Sequence, residues 1–430
     1  MKPIKTMLSL IAAVSLSAGT LVGCGGSDAN LPAVTPVSNP SFDKDAPTDL
    51  AVSSNNSLSV ALYQQLNKQD KQNGNLFFSP MSVSAALMLT YEGARNQTKA
   101  EFEKVLSLEG ADPLASHKAY AGVLGRLAAE DKPYKLAVAN ALWGEKTMPF
   151  RNEFLDTVRE HYAASFESVD FRHDFENQRK RINTWVSDRT KNRINDLLPE
   201  GALDDMTRLV LVNAIYFKSP WAIEFYEGMT KEMPFHVSND KHVNVPMMRH
   251  SAEYFAYADF EGYDALQMQY KRGDLSMVVL LPDEKDGLSV LEAKLSATMI
   301  NRTIAGLKGE AVNVWLPKWE TTQDYDLIPS LKGMGMTGAF DASTADFTGL
   351  TDSAAGERLK ISGVFHKAFI AVDEEGTEAA AATAVVVAEE SALLPPERVY
   401  DFKCDHPFVY LIRDNRTGAI LFMGRVTDPS

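Results

Sequence analysis

The run Leu209-Val210-Leu211-Val212-Asn213-Ala214-Ile215-Tyr216-Phe217 limits the fold more than any other part of this chain. It is too short to cross a bilayer and is rich in β-branched and aromatic residues, so it reads as a buried strand. A buried strand needs neighbours. Asn213 sharpens that requirement, because an amide in an apolar strand has to find hydrogen-bond partners inside the protein. Gln267–Tyr270 and Leu275–Leu281 read as paired strands around Lys271-Arg272-Gly273-Asp274, and Val312, Val314 and Leu316 alternate with the period of a strand. Such runs fit a large sheet covered on one face by helices.

The first half of the chain supplies those helices. From Ser57, the residues Leu58, Ala61, Leu62, Gln65 and Leu66 recur at helical spacing. Asn75–Phe78 is a short apolar strand closed by Ser79-Pro80, after which Val83, Leu87 and Leu89 mark a buried helix ending near Gly93. Further helices are expected at Ala115–Ala129, Asn152–His161 and Asn177–Lys191. With no repeat or linker between Ser57 and Ser430, one α+β domain is the economical reading.

Composition narrows the function. The chain has 430 residues and a formal charge of -14, which argues against a general nucleic-acid binder. Arg172, Arg179, Lys180, Arg181, Arg189, Lys191 and Arg193 are interleaved with Asp174, Glu176 and Asp188, the mixture expected of a solvated helix face. Gly-x-Ser-x-Gly, His-Glu-x-x-His, a Walker phosphate loop, Gly-x-Gly-x-x-Gly and Cys-x-x-Cys are all missing. The eight histidines show no metal-ligand spacing beyond the loose Cys404–His406 neighbourhood, so neither an enzyme nor a metal or cofactor site is expected.

The amino terminus has a separate character. Lys2 and Lys5 precede an apolar run from Met7 to Val22, the form of a signal peptide, and Leu21-Val22-Gly23-Cys24 resembles the bacterial lipobox. Residues 1–23 are therefore read as a lipoprotein signal and Cys24 as the lipidated residue. Residues 24–56, rich in Ser, Pro, Asn and Asp at their start, are read as a flexible tether, with a folded domain over 57–430. The absence of Asp after Cys24 favours an exported protein anchored at the outer membrane. The other cysteine, Cys404, is left unpaired and reads as a small buried hydrophobe.

Ordered blocks across the domain resemble the serpin family. They comprise Asn75–Ser82, Gly93–Thr98, Leu211–Lys218 with Trp221 and Phe225, Leu316–Trp319, Ala345–Phe347, Phe402–Phe408 and Leu421–Val426. Asn96 stands where the family usually has Gly, and Asn is among the residues most tolerant of a left-handed backbone. The resemblance implies a serpin fold: a large central β-sheet with additional sheets, about nine helices and an exposed reactive-centre loop near 374–400. It also puts Ser79, Ser82, Asn213 and His366 where the central strands part, and Trp221 at the top where the loop enters. Each has a structural reading too: Ser79 suits a helix cap, Asn213 needs partners, and His366 suits a satisfied core histidine.

The segment Asp373-Glu374-Glu375-Gly376-Thr377-Glu378, followed by Ala379, Ala380, Ala381 and Ala382 and then Thr383–Ala388, reads on its own as an Ala-rich helix. Alternate positions nevertheless place small and then β-branched residues on one side, as in an inserting strand. The resemblance makes Glu374–Ala382 the hinge of the loop and puts the reactive bond between Glu390 and Ser391. Val387, Ala388 and Leu393 offer other registers. The implied function is irreversible suicide inhibition of a serine or cysteine protease in a covalent one-to-one complex. A non-inhibitory binding or storage serpin is the alternative.

Overall fold

The computed structural model describes residues 47–128, 132–162, 165–351, 358–377 and 398–430. The chain begins with α1 (Asp49–Gln69), β1 (Leu76–Phe78), α2 (Pro80–Tyr91), α3 (Asn96–Val105), α4 (Pro113–Leu127), β2 (Lys135–Glu145), α5 (Asn152–Tyr162) and β3 (Ser165–Val169). It continues through α6 (Phe171–Arg189), β4 (Leu209–Pro220), β5 (Lys231–Ser238), β6 (Lys241–Phe260), β7 (Tyr263–Gln269) and β8 (Leu275–Pro282). Next come α7 (Leu288–Lys294), α8 (Ala297–Gly306), β9 (Lys308–Pro317), β10 (Trp319–Asp326) and α9 (Ile328–Gly333). Last are β11 (Gly363–Val372), β12 (Gly376–Thr377), β13 (Val399–Lys403), β14 (Phe408–Asp414) and β15 (Ile420–Val426).

The strands form two sheets. A six-stranded sheet has the order β10-β11-β12-β4-β2-β3, and a nine-stranded sheet has the order β1-β15-β14-β8-β7-β6-β9-β13, with β5 paired to β6. The apolar run becomes β4, whose residues Leu209–Phe217 are all buried. It pairs antiparallel with β2 on one side and parallel with β11 on the other, from Gly363↔Val210 to Phe369↔Tyr216. A strand between two neighbours has no free backbone edge, which is why nearly every side chain here can be apolar.

Behind this seam lies α2. All of its residues are buried, as expected of a helix that is apolar all round. Pro80 at its first turn and the Ser79 Oγ, which accepts from the Ser82 N–H at 3.2 Å, fix where it starts. It packs between β4 and β15, so its amino terminus points at the middle of the seam.

Nine α-helices occur among the described residues, and together with the two sheets they give the α+β architecture expected from sequence. The hairpin around Arg272-Gly273 is present, with β7 and β8 antiparallel and both turn residues at positive φ. Several boundaries differ. The first helix starts at Asp49 rather than Ser57, so the last part of the expected tether is helical and buries Ala51, Ser54 and Asn55. Polar residues there face a polar partner set, including Tyr120 Oη and the Ile420 carbonyl, which hides the helix from an apolar-periodicity reading. Helix α6 runs over Phe171–Arg189 rather than Asn177–Lys191, capped by Asp170 and ended where Lys191 and Asn192 take positive φ. Among the described residues no helix is long and apolar enough to cross a membrane.

Candidate functional site

The seam between β4 and β11 carries two polar stations. The central one forms where β4, β11 and β2 bring Asn213, His366 and Asn140 to one level, with His366 facing Asn213 and Asn140 facing Asn213 in the strand registers. The Ser79 backbone N–H donates to His366 Nε2 at 3.0 Å, which leaves the ring proton on Nδ1 to donate to Asn213 Oδ1. Asn213 Nδ2 donates to Ser82 Oγ at 2.5 Å and to Asn140 Oδ1. Ser79 Oγ also donates to the Leu421 carbonyl at 2.7 Å.

Every polar atom of this knot therefore has a partner, which makes it stable closed and costly to leave half open. Burial pushes the His366 imidazole down to about 3, so the ring is neutral at ordinary pH. Tyr325 on β10 stacks on it with the rings 8° from parallel. Beside the knot, a cavity of ≈180 Å³ lined by Ser82, Asn140, Leu124, Ile215 and Tyr162 leaves part of this level without packing atoms.

The second station is at the top. Here β12 enters between the two strands: Thr377 pairs with Val372 of β11 and Ser219 of β4, and Gly376 pairs with Pro220. A Cβ on Gly376 would lie 2.2 Å from the Ser219 carbonyl oxygen, so only glycine permits this approach. Thr377 is fully buried, and its Oγ1 is 2.7 Å from Tyr270 Oη. Tyr270 in turn stacks on Trp221, with ring centroids 4.6 Å apart.

The chain leading into this wedge is held firmly. Trp221 donates its backbone N–H to the Glu375 carbonyl and its indole Nε1–H to the Asp373 carbonyl, while the Phe225 N–H donates to the Glu374 carbonyl. The Glu374 carboxylate accepts from Thr230 Oγ1 at 2.7 Å and Lys318 Nζ at 2.6 Å. Burial alone pushes this carboxyl up, but the Lys318 and Thr230 hydrogen bonds win and hold it below the ordinary glutamate range.

Ser79, Ser82, Asn213 and His366 form one knot, and Trp221, Glu374, Gly376 and Thr377 converge above it. One expectation is corrected: the loop is not exposed from 374, because Glu374, Gly376 and Thr377 are buried and strand pairing continues to Thr377. Small residues at a sheet seam bury themselves as soon as both flanking strands offer free hydrogen-bonding groups. At the other end, β13 begins at Val399. Ala379, Ala380, Ala381, Ala382, Glu390, Ser391 and Cys24 lie outside the described residues.

Asn140, Tyr270, Thr230 and Lys318 were missed from sequence. Asn140 carried the one available signal, a lone amide in the apolar stretch before Leu142 and Trp143, the same pattern that marked Asn213. The thiol of Cys404 is buried and pushed well above its usual range, first by desolvation. No group of three or more metal-ligating side chains occurs among the described residues.

A two-sheet α+β fold with a closed polar seam, and with Gly376 and Thr377 wedged between the strands at its top, is the architecture these residues build. The family model for serpins, the serine protease inhibitors, matches residues 53–429, and the chain belongs to that family. It is 40% identical to human Serpin B3 over 86% of this chain and 96% of that protein. It is 38% identical to the leukocyte elastase inhibitor of Xenopus tropicalis over 86% and 97%. Among solved structures it is similar to Serpin48 of the insect Tenebrio molitor, described as a highly specific serpin, with a TM-score of 0.78, 32% identity and coverage of 88% and 98%.

Proposed function

We propose that this serpin inhibits serine proteases by inserting its cleaved loop into the seam between β4 and β11 and trapping the enzyme still bound to it. The observation that supports this most is the β12 wedge: Thr377 already pairs with both flanking strands and Gly376 with β4, so residues that follow them have a path to continue down the seam. The protease nucleophile attacks the loop carbonyl, the acyl-enzyme ester forms as the peptide bond breaks, and the new amino terminus leaves. Insertion then carries the acylated protease away before water completes hydrolysis.

The driving force is the difference between one parallel ladder and two antiparallel ones. About a dozen inserted residues gain hydrogen bonds at a net ~0.5–1.5 kcal/mol each, and apolar burial adds ~25 cal/mol/Å², which together release on the order of 10 kcal/mol. The uncleaved form is thus a kinetic trap. Insertion must sever the His366–Asn213 contact and replace it, so the central knot sets part of the barrier.

The reactive bond is assigned to Glu390-Ser391, which requires a cationic specificity pocket in the target. Incubation with a panel of serine and cysteine proteases should give an SDS-stable complex with at least one serine protease, and mass spectrometry of the released carboxy-terminal peptide should begin at Ser391. Thr377→Arg places a guanidinium where Thr377 meets Tyr270, so this variant should be cleaved normally yet form no stable complex. Universal cleavage of the natural protein with no complex would defeat the reading.

We also propose export and lipid anchoring through Cys24, supported by Lys2, Lys5, the apolar run and Leu21–Cys24. Labelling with a radioactive fatty acid should be lost in Cys24→Ala, which should also be released from membranes. Retained labelling would remove the anchor.

A further inference from the structure

The exposed face of the nine-stranded sheet carries a feature that loop insertion does not use. Arg249 of β6, Trp315 of β9 and Lys403 of β13 are direct neighbours across three strands, so their side chains share one face. The Arg249 guanidinium lies 5.0 Å from the Trp315 ring centroid and Lys403 Nζ lies 4.8 Å from it. The other face of the same strands carries the buried Val314, Leu316, Phe402 and Cys404. Trp315 is thus a cation-bearing platform turned outward.

Beside it, Lys231, Met229, Met233, Met247, Arg249 and Trp315 line a pocket of ≈150 Å³. Arg249 Nε is buried beneath this face and meets no hydrogen-bond partner among the described residues. A guanidinium and an ammonium over one indole, beside thioethers, suit a carboxylate carried on an apolar stem. The acid on this face is Asp401, and it is already engaged, 3.1 Å from Lys403 and accepting from Asn313 at 2.8 Å. Arg249, Lys403 and Lys231 therefore leave a positive patch on a chain of formal charge -14.

Its place relative to the loop selects the partner. The chain re-enters described structure at Arg398 and forms β13 from Val399, on the edge of this sheet. Seven residues lie between Ser391 and Val399, so a protease acting there stays within about 30 Å of the strand start. We propose that Lys231, Arg249, Trp315 and Lys403 form a docking surface for an acidic side chain of the target protease, which selects targets independently of the loop sequence. This rests on the protease-inhibitor reading above.

The test compares the natural protein with Arg249→Glu/Lys403→Glu, and with Arg249→Gln/Lys403→Gln should the reversal fail to fold. Each is assayed with four serine endopeptidases of basic, aromatic, small-aliphatic and acidic primary specificity, and with the same enzymes lacking the nucleophilic serine. For at least one enzyme, the reversal should lower the second-order rate of complex formation and the affinity of the serine-less form about tenfold or more at low salt. The effect should shrink at high salt, the fraction of encounters ending in complex should stay constant, and Asp401→Asn should raise the rate.

The outcomes separate the two claims. Equal rates and affinities in all variants overturn the docking surface alone. Variant-sensitive binding followed by turnover without a trapped complex overturns inhibition and keeps the surface. No association with any enzyme overturns both. Loss of binding to phosphatidylglycerol vesicles in the reversal, with protease rates unchanged, assigns the patch to membranes and overturns the proposal.

Discussion

The middle of the nine-stranded sheet and the β4–β11 seam are both buried, yet they are held by different physics. In the first, β15 and β14 run antiparallel beside β1 and β8, and Phe422 stacks on Phe77 at 5.3 Å while also meeting Phe217. Packing of this kind is nondirectional and has no single breaking point. In the second, a parallel ladder is closed by His366, Asn213, Ser79, Ser82 and Asn140, whose bonds are directional and fail together. A knot of this kind opens as one unit, whereas a zipper of aromatic rings offers no single point at which to part.

Breaking the apolar side should cost most. Phe422→Ala removes a fully buried ring and should lower unfolding free energy by ~3–5 kcal/mol in denaturant melts. The loss should be similar before and after loop cleavage, since the nearest ring partner of Phe422, Phe77, belongs to the same nine-stranded sheet. His366→Ala attacks the other side. It leaves the Ser79 N–H and Asn213 Oδ1 without a partner and should cost ~2–4 kcal/mol in the uncleaved protein. The same variant should cost clearly less after cleavage, because the inserted strand separates His366 from Asn213 in any case. Equal losses in both forms would erase the distinction between the two regions.

Acid offers a milder probe of the same knot. His366, at about 3 when folded against an ordinary value of 6.5, stays neutral while the unfolded chain takes up a proton. The unfolded state binds more protons, so stability should fall as pH drops from 6.5 toward 3 and rise in the other direction. His250, lowered to about 4 by burial, acts with the same sign, whereas Asp264, raised to about 6 by burial, gains stability on acidification. The difference between the natural protein and His366→Ala isolates the knot, and the slope of their stability difference should vanish above pH 7.

The top station gives a smaller effect. Lys318 is partly exposed, so Lys318→Gln should cost only ~1 kcal/mol after allowance for solvent screening. Its signature should be kinetic, with faster exchange of the Trp221 indole proton and faster insertion after cleavage. Smallest of all should be Asn96→Gly. Asn96 sits at φ 48°, where glycine is unstrained, but it would lose the bond from Asn96 Nδ2 to Asp346 at 2.7 Å, and the balance should fall within ~0.5 kcal/mol.

Sequence legibility followed the same division. The apolar strand at Leu209–Phe217, the cap at Ser79 and the β7–β8 hairpin were readable because local pattern and tertiary role agree there. Asn213 announced a polar station by being out of place. Its partner Asn140 and the Tyr270, Thr230 and Lys318 that gather around the wedge were not readable, because their meeting depends on strand order and register. Helix α1 was placed late, since its first turns bury Ser54 and Asn55 against polar partners rather than in an apolar stripe. The Ala-rich segment after Thr377 reads as either helix or strand from its composition and lies outside the described residues, while Thr377 just before it pairs with both flanking strands.

The central claim is that the seam admits the cut loop and is more stable for it. Thermal and denaturant unfolding of the intact protein should be compared with protein cleaved in the loop by a protease that it does not trap. The account predicts a gain on the order of 10 kcal/mol, with a midpoint about 20 °C higher or more. An unchanged midpoint after complete cleavage would contradict it.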